Sequence, residues 1–274
     1  MSGPAGSAPE GEASAASEEA PEAAATESAQ AEQRREPVFN VPAIVIAFIA
    51  ICAAIHLVRV YLLTDEQNLT LLVYAAFFPI RYSGQFDLDI FAFTSTVSYS
   101  LLHGSVAHLA INMVWLAAFG TPLANRIGAV KFCLFWLLTA FAAAALHYVV
   151  HMDGQAPLVG ASGAISGMMG AATRFAFRIG RTDGKSAFMG TPLPVLECLR
   201  YRTVVTFLAV WMAVNLVTGL VGLGAAGDAS IAWEAHIGGF LAGFFGVTYF
   251  VGRPERAQAE QEPTPPAEEP ADQA

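Results

Sequence analysis

The chain has 274 residues, 55% of them hydrophobic and 14% charged, with a formal net charge of −9. Soluble domains carry about 25% charged residues, so this composition excludes an ordinary globular protein. The negative total, which argues against a nucleic-acid partner, is confined to the two ends. Residues 1–37 and 252–274 together hold fourteen acidic against four basic residues, while 38–251 hold nine against ten.

Taken in chain order, residues 1–37 come first as an acidic tail of Ala, Glu, Ser and Pro with little apolar surface to offset the entropy of ordering, and are expected to be disordered. They carry no basic start followed by an apolar run, so they do not read as a signal peptide. Beyond them lie long windows without Asp, Glu, Lys or Arg: 37–58, 90–125, 132–152, 154–173, 203–227 and 235–252. A membrane-spanning helix needs about 20 mostly apolar residues, and each window supports one. Six spans are expected, at 40–62, 105–122, 130–150, 160–178, 202–222 and 232–251, in an all-α polytopic membrane bundle. The connection 63–104 is long and apolar (Leu71-Leu72-Val73-Tyr74-Ala75-Ala76-Phe77-Phe78) but broken by Pro79 and Gly84. It reads as an external element lying partly in the membrane. Residues 252–274 form a second expected disordered tail, rich in Pro and Glu.

Orientation follows from Lys and Arg, which favour the cytoplasmic side of span ends. With both termini inside, Arg34, Arg35, Arg126, Lys131, Arg174, Arg178, Arg181, Lys185, Arg200, Arg202, Arg253 and Arg256 are cytoplasmic, and only Arg59 and Arg81 are not. The second, fourth and sixth spans then run inward. The expected location is a plasma membrane, that of a bacterium, with the lipid bilayer as the surrounding partner.

Polar side chains inside spans are costly and point to function. The second span carries His108 and Asn112, four apart on one helix face. The fourth opens with Gly160-Ala161-Ser162-Gly163, and the sixth carries Ala235-His236-Ile237-Gly238-Gly239. At about 1.5 Å per residue, Ser162, His236, His108 and Asn112 share one depth near the outer face. Gly160, Gly163, Gly239 and Gly243 remove side chains where the fourth and sixth spans would meet, so the backbones can approach closely. That would bring a serine hydroxyl within reach of an imidazole base. The N-terminal N–H groups of the serine helix, with His108 and Asn112, supply donors for an oxyanion. Because the spans contain no Asp to orient His236, a Ser–His dyad is expected rather than a triad.

Together, Gly160-Ala161-Ser162-Gly163, Ala235-His236-x-Gly238-Gly239 and His103-Gly104-Ser105-x-x-His108-x-x-x-Asn112 resemble the rhomboid intramembrane serine proteases. The resemblance covers about residues 40–251 and includes the order of the spans. It implies Ser162 as nucleophile, His236 as general base, and His108, Asn112 and the Ser162 backbone N–H as an oxyanion hole. It also implies single-pass or other transmembrane proteins as substrates, cleaved near the outer face. The sequence departs from the family where an aromatic commonly packs on the imidazole one turn after the nucleophile; here that residue is Ser166.

No cofactor, metal or nucleic acid is expected. Cys52, Cys133 and Cys198 fit no ligand spacing, and His56, His147 and His151 read as separate interfacial residues. Glu234 reads as an outer-interface residue facing away from His236, and Trp233 or Phe240 as the aromatic that supports the imidazole. The competing function is a non-catalytic membrane-protein binder or transporter that uses the same polar groups as a cavity.

Overall fold

The computed structural model describes residues 40–182, 184–221 and 232–252. Apart from Gly252, the two expected disordered tails lie outside the described residues. Helix α1 (Ala43–Tyr61) buries Val45, Cys52, His56 and Arg59 on one stripe and leaves Ile46, Ile51, Leu57 and Val60 exposed. An apolar face turned outward is stable only against lipid.

The apolar connection does not cross. It folds into two short helices, α2 (Asp65–Ala75) and α3 (Ile90–Ser98), linked through a 3-10 turn at Pro79–Tyr82. A capping box between Thr64 and Gln67 starts α2, and the Asp89 carboxylate accepts from the Ala92 N–H to start α3. The segment is tied down rather than free. Phe77 and Leu158 exchange backbone hydrogen bonds, and Tyr82 stacks on Phe77 at 5.3 Å. The hydroxyl of Tyr82 donates to the carbonyl of Ala92.

Helix α4 (Val106–Trp115) runs through a π-helical turn (Leu116–Gly120) into α5 (Thr121–Ile127), so the second span reaches Ile127 rather than 122. The widened turn accommodates Pro122, which has no N–H to donate to the turn before it. Helix α6 (Ala129–Val150) follows directly after Gly128, at φ +81°.

Helix α7 (Ser162–Arg174) is the centre of the molecule: every residue from Gly163 to Arg174 is buried. It is shorter than the expected 160–178. Gly160 lies outside it at φ +123°, and the chain turns away after Arg174 with Ala176 and Phe177 at positive φ. Thirteen residues span about 20 Å, less than the roughly 30 Å hydrocarbon thickness. A helix sheathed in protein has no lipid boundary to match, so its length is set by its neighbours.

Strands β1 (Ile179–Thr182) and β2 (Lys185–Phe188) then form an antiparallel hairpin, with Ile179 opposite Phe188. The hairpin adds a β element to the expected all-α fold. Asn125 and Arg126 on α5 hold it through the carbonyls of Ser186 and Gly190, at 2.9 Å each. Helices α8 (Val195–Cys198), α9 (Arg202–Val221) and α10 (Trp233–Phe250) complete the described chain.

The protein is mostly helical and integral to the membrane. Among the described residues, four helical stretches are long and apolar enough to cross a bilayer: Ala43–Tyr61, Val106–Ile127, Ala129–Val150 and Arg202–Gly219. Helices α6 and α10 flank α7. A β-carbon on Gly239 would collide with the carbonyl of Gly163, and one on Gly243 with that of Gly167. On the other side of α7, a β-carbon on Gly163 would fall 2.6 Å from that of Ala143 on α6. These glycines set the interhelical distance. Val205, Val210, Val214 and Val217 of α9 remain exposed, which places that helix at the periphery.

Candidate active site

Ser162 is the first residue of α7, where backbone N–H groups lack partners within the helix and the dipole is positive. The glycine contacts that draw α10 against α7 bring His236 alongside it. The Ser162 hydroxyl lies 2.8 Å from His236 Nε2.

The other imidazole nitrogen has a partner that the sequence reading missed. His236 Nδ1 lies 2.6 Å from Oδ1 of Asn215, on α9. Asn215 is 6% exposed, and its Nδ2 donates to the carbonyl of Trp211 at 2.7 Å. That second bond decides the orientation of the amide: Nδ2 faces Trp211, so Oδ1 faces the imidazole and can only accept. Nδ1 of His236 therefore carries the proton, and Nε2 presents a lone pair to the Ser162 hydroxyl. The contacts thus run as a hydrogen-bonded chain, Ser162–His236–Asn215, with a neutral amide on the nitrogen of His236 that does not face the serine. The signal in the sequence was an isolated Asn in an apolar span, which spacing alone does not connect to His236.

The two aromatic side chains expected to support the imidazole both have partners on α9. A β-carbon on Gly219 would meet the Trp233 ring, so Trp233 packs on α9, and Phe240 lies 4.7 Å from Trp211 between ring centroids. Ser166, one turn below Ser162, is buried inside the helix packing.

His108 and Asn112 occupy one face of α4, but the structure places them differently. A β-carbon on Gly160 would sit 2.8 Å from His108 Cε1 and 2.9 Å from Nε2, so the imidazole lies over the turn leading into Ser162. Only glycine fits there, on grounds of both space and its positive φ. Gly160 therefore serves the approach of His108, not the helix packing assigned to it from sequence. The Asn112 side chain is buried and donates to the His108 carbonyl at 2.8 Å, one turn back on its own helix. An amide NH2 has two donors, so one is committed to the helix.

Behind this face, Nδ1 of His56 and the guanidinium of Arg59 both bond the His103 carbonyl at 3.1 Å, and Arg59 donates to Asn68 at 2.9 Å. His103 packs edge-on against His108 at 5.2 Å between ring centroids. Burial, with His108 and His56 alongside, pushes the His103 imidazole down to about 3. It is a neutral ring that backs His108.

In the first turn of α10, Glu234 is 3% exposed and not an interface residue turned to water. It lies 2.6 Å from His147 and 3.0 Å from His151. The sequence reading, which kept these histidines apart, is corrected by that contact.

The rhomboid domain model matches residues 91–253, more than half of the chain. RHOMBOID-like protein 5 of Arabidopsis thaliana is 24% identical over 170 residues, which cover 62% of this chain and 48% of that protein. Rhomboid protease GluP of Bacillus subtilis is 30% identical over 145 residues, covering 53% of this chain and 24% of that protein. The matches thus span about half and a quarter of those relatives' own lengths. The domain match runs from the start of α3 through the central glycine-packed helices to the end of α10, and on it the chain belongs to the rhomboid family.

Proposed function

We propose that this protein is an intramembrane serine endopeptidase that cleaves transmembrane segments of other membrane proteins near the outer face. The observation that carries the reading is the 2.8 Å contact between the Ser162 hydroxyl and His236 Nε2, at the N-terminus of a buried helix. Ser162 Oγ attacks the scissile carbonyl while Nε2 takes its proton. The negative oxygen that forms is met by the Ser162 backbone N–H, by His108 above Gly160, and by the uncommitted donor of Asn112. Collapse breaks the C–N bond, and the imidazolium returns the proton to the leaving amine. Water then attacks the acyl-serine with His236 as base, releasing the new carboxylate and restoring Ser162. Asn215 accepts from Nδ1–H throughout, which keeps the ring in the productive tautomer. As a neutral amide it orients the imidazolium without a countercharge.

In this reading, residues 38–251 form one six-span protease domain flanked by acidic cytoplasmic tails at 1–37 and 252–274, in the plasma membrane of a bacterium. The basic residues at the far end of α7 from Ser162, Arg174 and Arg178 among them, support termini on the cytoplasmic side. Substrates are single-pass or other transmembrane proteins that expose an extended backbone at that depth.

The test is co-expression with a tagged single-span reporter, comparing wild type with Ser162→Ala and His236→Ala. Wild type is expected to release a fragment that neither variant produces. Equal cleavage by all three, or none by wild type across a panel of reporters, overturns the assignment in favour of a non-catalytic binder.

A further inference from the structure

Away from the serine, three side chains meet that the proposed reaction does not use. His147 lies in the last turn of α6, and His151 follows at the residue that ends the helix. Glu234 lies in the first turn of α10. His147 Nδ1 and His151 Nε2 approach the same carboxylate oxygen of Glu234, at 2.6 and 3.0 Å, and the three donor atoms all fall within 4.8 Å of one another. The two imidazole rings are 5.0 Å apart between centroids.

We propose that His147, His151 and Glu234 form a site for a zinc-class divalent cation on the outer face. Two imidazoles and one carboxylate are the donor set that first-row ions such as Zn²⁺ prefer over Mg²⁺ or Ca²⁺, which favour all-oxygen shells. Metal–ligand bonds of about 2.0–2.2 Å put the donors of a tetrahedral shell roughly 3.3 Å apart, inside the 4.8 Å limit found here. The burial pattern also suits an ion. Glu234 and His147 are 3% and 9% exposed, whereas the His151 side chain is 48% exposed and leaves an entrance and room for a water ligand. Phe77 packs edge-to-face with His147, 6.4 Å between centroids, so hydrocarbon borders the cluster at that ring. The buried Glu234 carboxylate, held between the two imidazoles, presents an anionic oxygen that a cation would neutralise.

The ion would bridge elements 87 residues apart in sequence, fastening the outer end of α6 to the start of α10. Its ligand Glu234 is two residues before His236. Metal occupancy would therefore hold the helix that carries the imidazole. The site rests on its own geometry and does not depend on the protease assignment.

The experiment uses tag-free full-length protein in detergent, stripped with chelator and titrated with ZnCl₂ in competition with a chromophoric indicator. Wild type is expected to bind about one ion per chain and to gain thermal stability with zinc but not with MgCl₂. His151→Ala and Glu234→Gln are each expected to lose at least about 100-fold in affinity, and to lose the thermal shift. The half-exposed position of His151 makes His151→Ala the milder change, and the metal-free unfolding midpoint of each variant separates lost binding from lost folding. Absence of binding by wild type, or wild-type affinity retained in both variants, overturns the site. Loss of reporter cleavage by Ser162→Ala leaves zinc affinity unchanged, so the two readings fail independently.

Discussion

Asn215 offers the sharpest test of how His236 is held. In Asn215→Ala the Nδ1–H of His236 loses an acceptor at 2.6 Å inside a buried site. An unsatisfied buried donor costs about 1–3 kcal/mol. That cost falls on the tautomer with the proton on Nδ1, the one that leaves Nε2 free to accept from Ser162. The ring can escape by moving the proton to Nε2, where it blocks the reaction. At 1.36 kcal/mol per tenfold, kcat is expected to fall about 5- to 150-fold with KM little changed. Removing Ser162 or His236 outright should cost on the order of 10⁶-fold and abolish measurable cleavage. The assay is cleavage of a fluorogenic transmembrane peptide in proteoliposomes, with kcat and KM measured for wild type, Asn215→Ala, Asn215→Leu and Asn215→Asp. Asp presents an acceptor at the same place and is expected to retain more activity than Leu at a matched unfolding midpoint. If Ala and Leu variants stay within about twofold of wild type, or if Asp and Leu fall equally, Asn215 does not orient the imidazole and the tautomer argument fails.

Two further outcomes follow from the packing around the site. Gly243→Val drives a side chain into the carbonyl of Gly167, and overpacking of this kind costs about 1–3 kcal/mol. Thermal unfolding in detergent is expected to show a clear drop for Gly243→Val and little change for a substitution at exposed Val210, and equal midpoints would remove the glycine-contact argument. His103, pushed down to about 3 by burial and its histidine neighbours, gains a proton less readily when folded than unfolded. Protonation therefore favours unfolding only once pH falls below the unfolded value near 6.5. Between about pH 7 and 8 His103 should contribute no pH dependence to stability, and histidine-labelled NMR should show a ring that stays neutral down to about pH 5. A midpoint near 6.5 for that resonance would mean the ring is solvated.

How far the site could be read in advance differed from residue to residue. Ser162 and His236 stood out because each is polar within an apolar run and each is flanked by glycines at helix-contact spacing, a local pattern. Asn215 has no such flanking signal; its role depends on α9 lying beside α10, and the chain between those helices carries no periodicity that specifies the approach. Glu234, His147 and His151 looked like three unrelated interface residues for the same reason. His147 and His151 are four apart at the end of α6, but the third partner comes from a helix 87 positions away. Asn112 shares a helix face with His108, as spacing requires, yet its amide donates into its own helix, a rotamer choice that sequence does not encode.

The sequence by itself determined that the chain lies in a membrane, which segments are apolar enough to reside there, and which polar residues are candidates for chemistry. Those follow from local composition and from a fixed rise per residue, and need no neighbours. Only the tertiary structure decided that α7 is a short helix enclosed by protein, that the non-crossing apolar connection is built as α2 and α3, and that a hairpin follows α7. It alone brought Asn215 to the imidazole and Glu234 to two histidines. Each of these depends on which helix faces which, and that choice is made where glycine removes a side chain and two backbones come into contact.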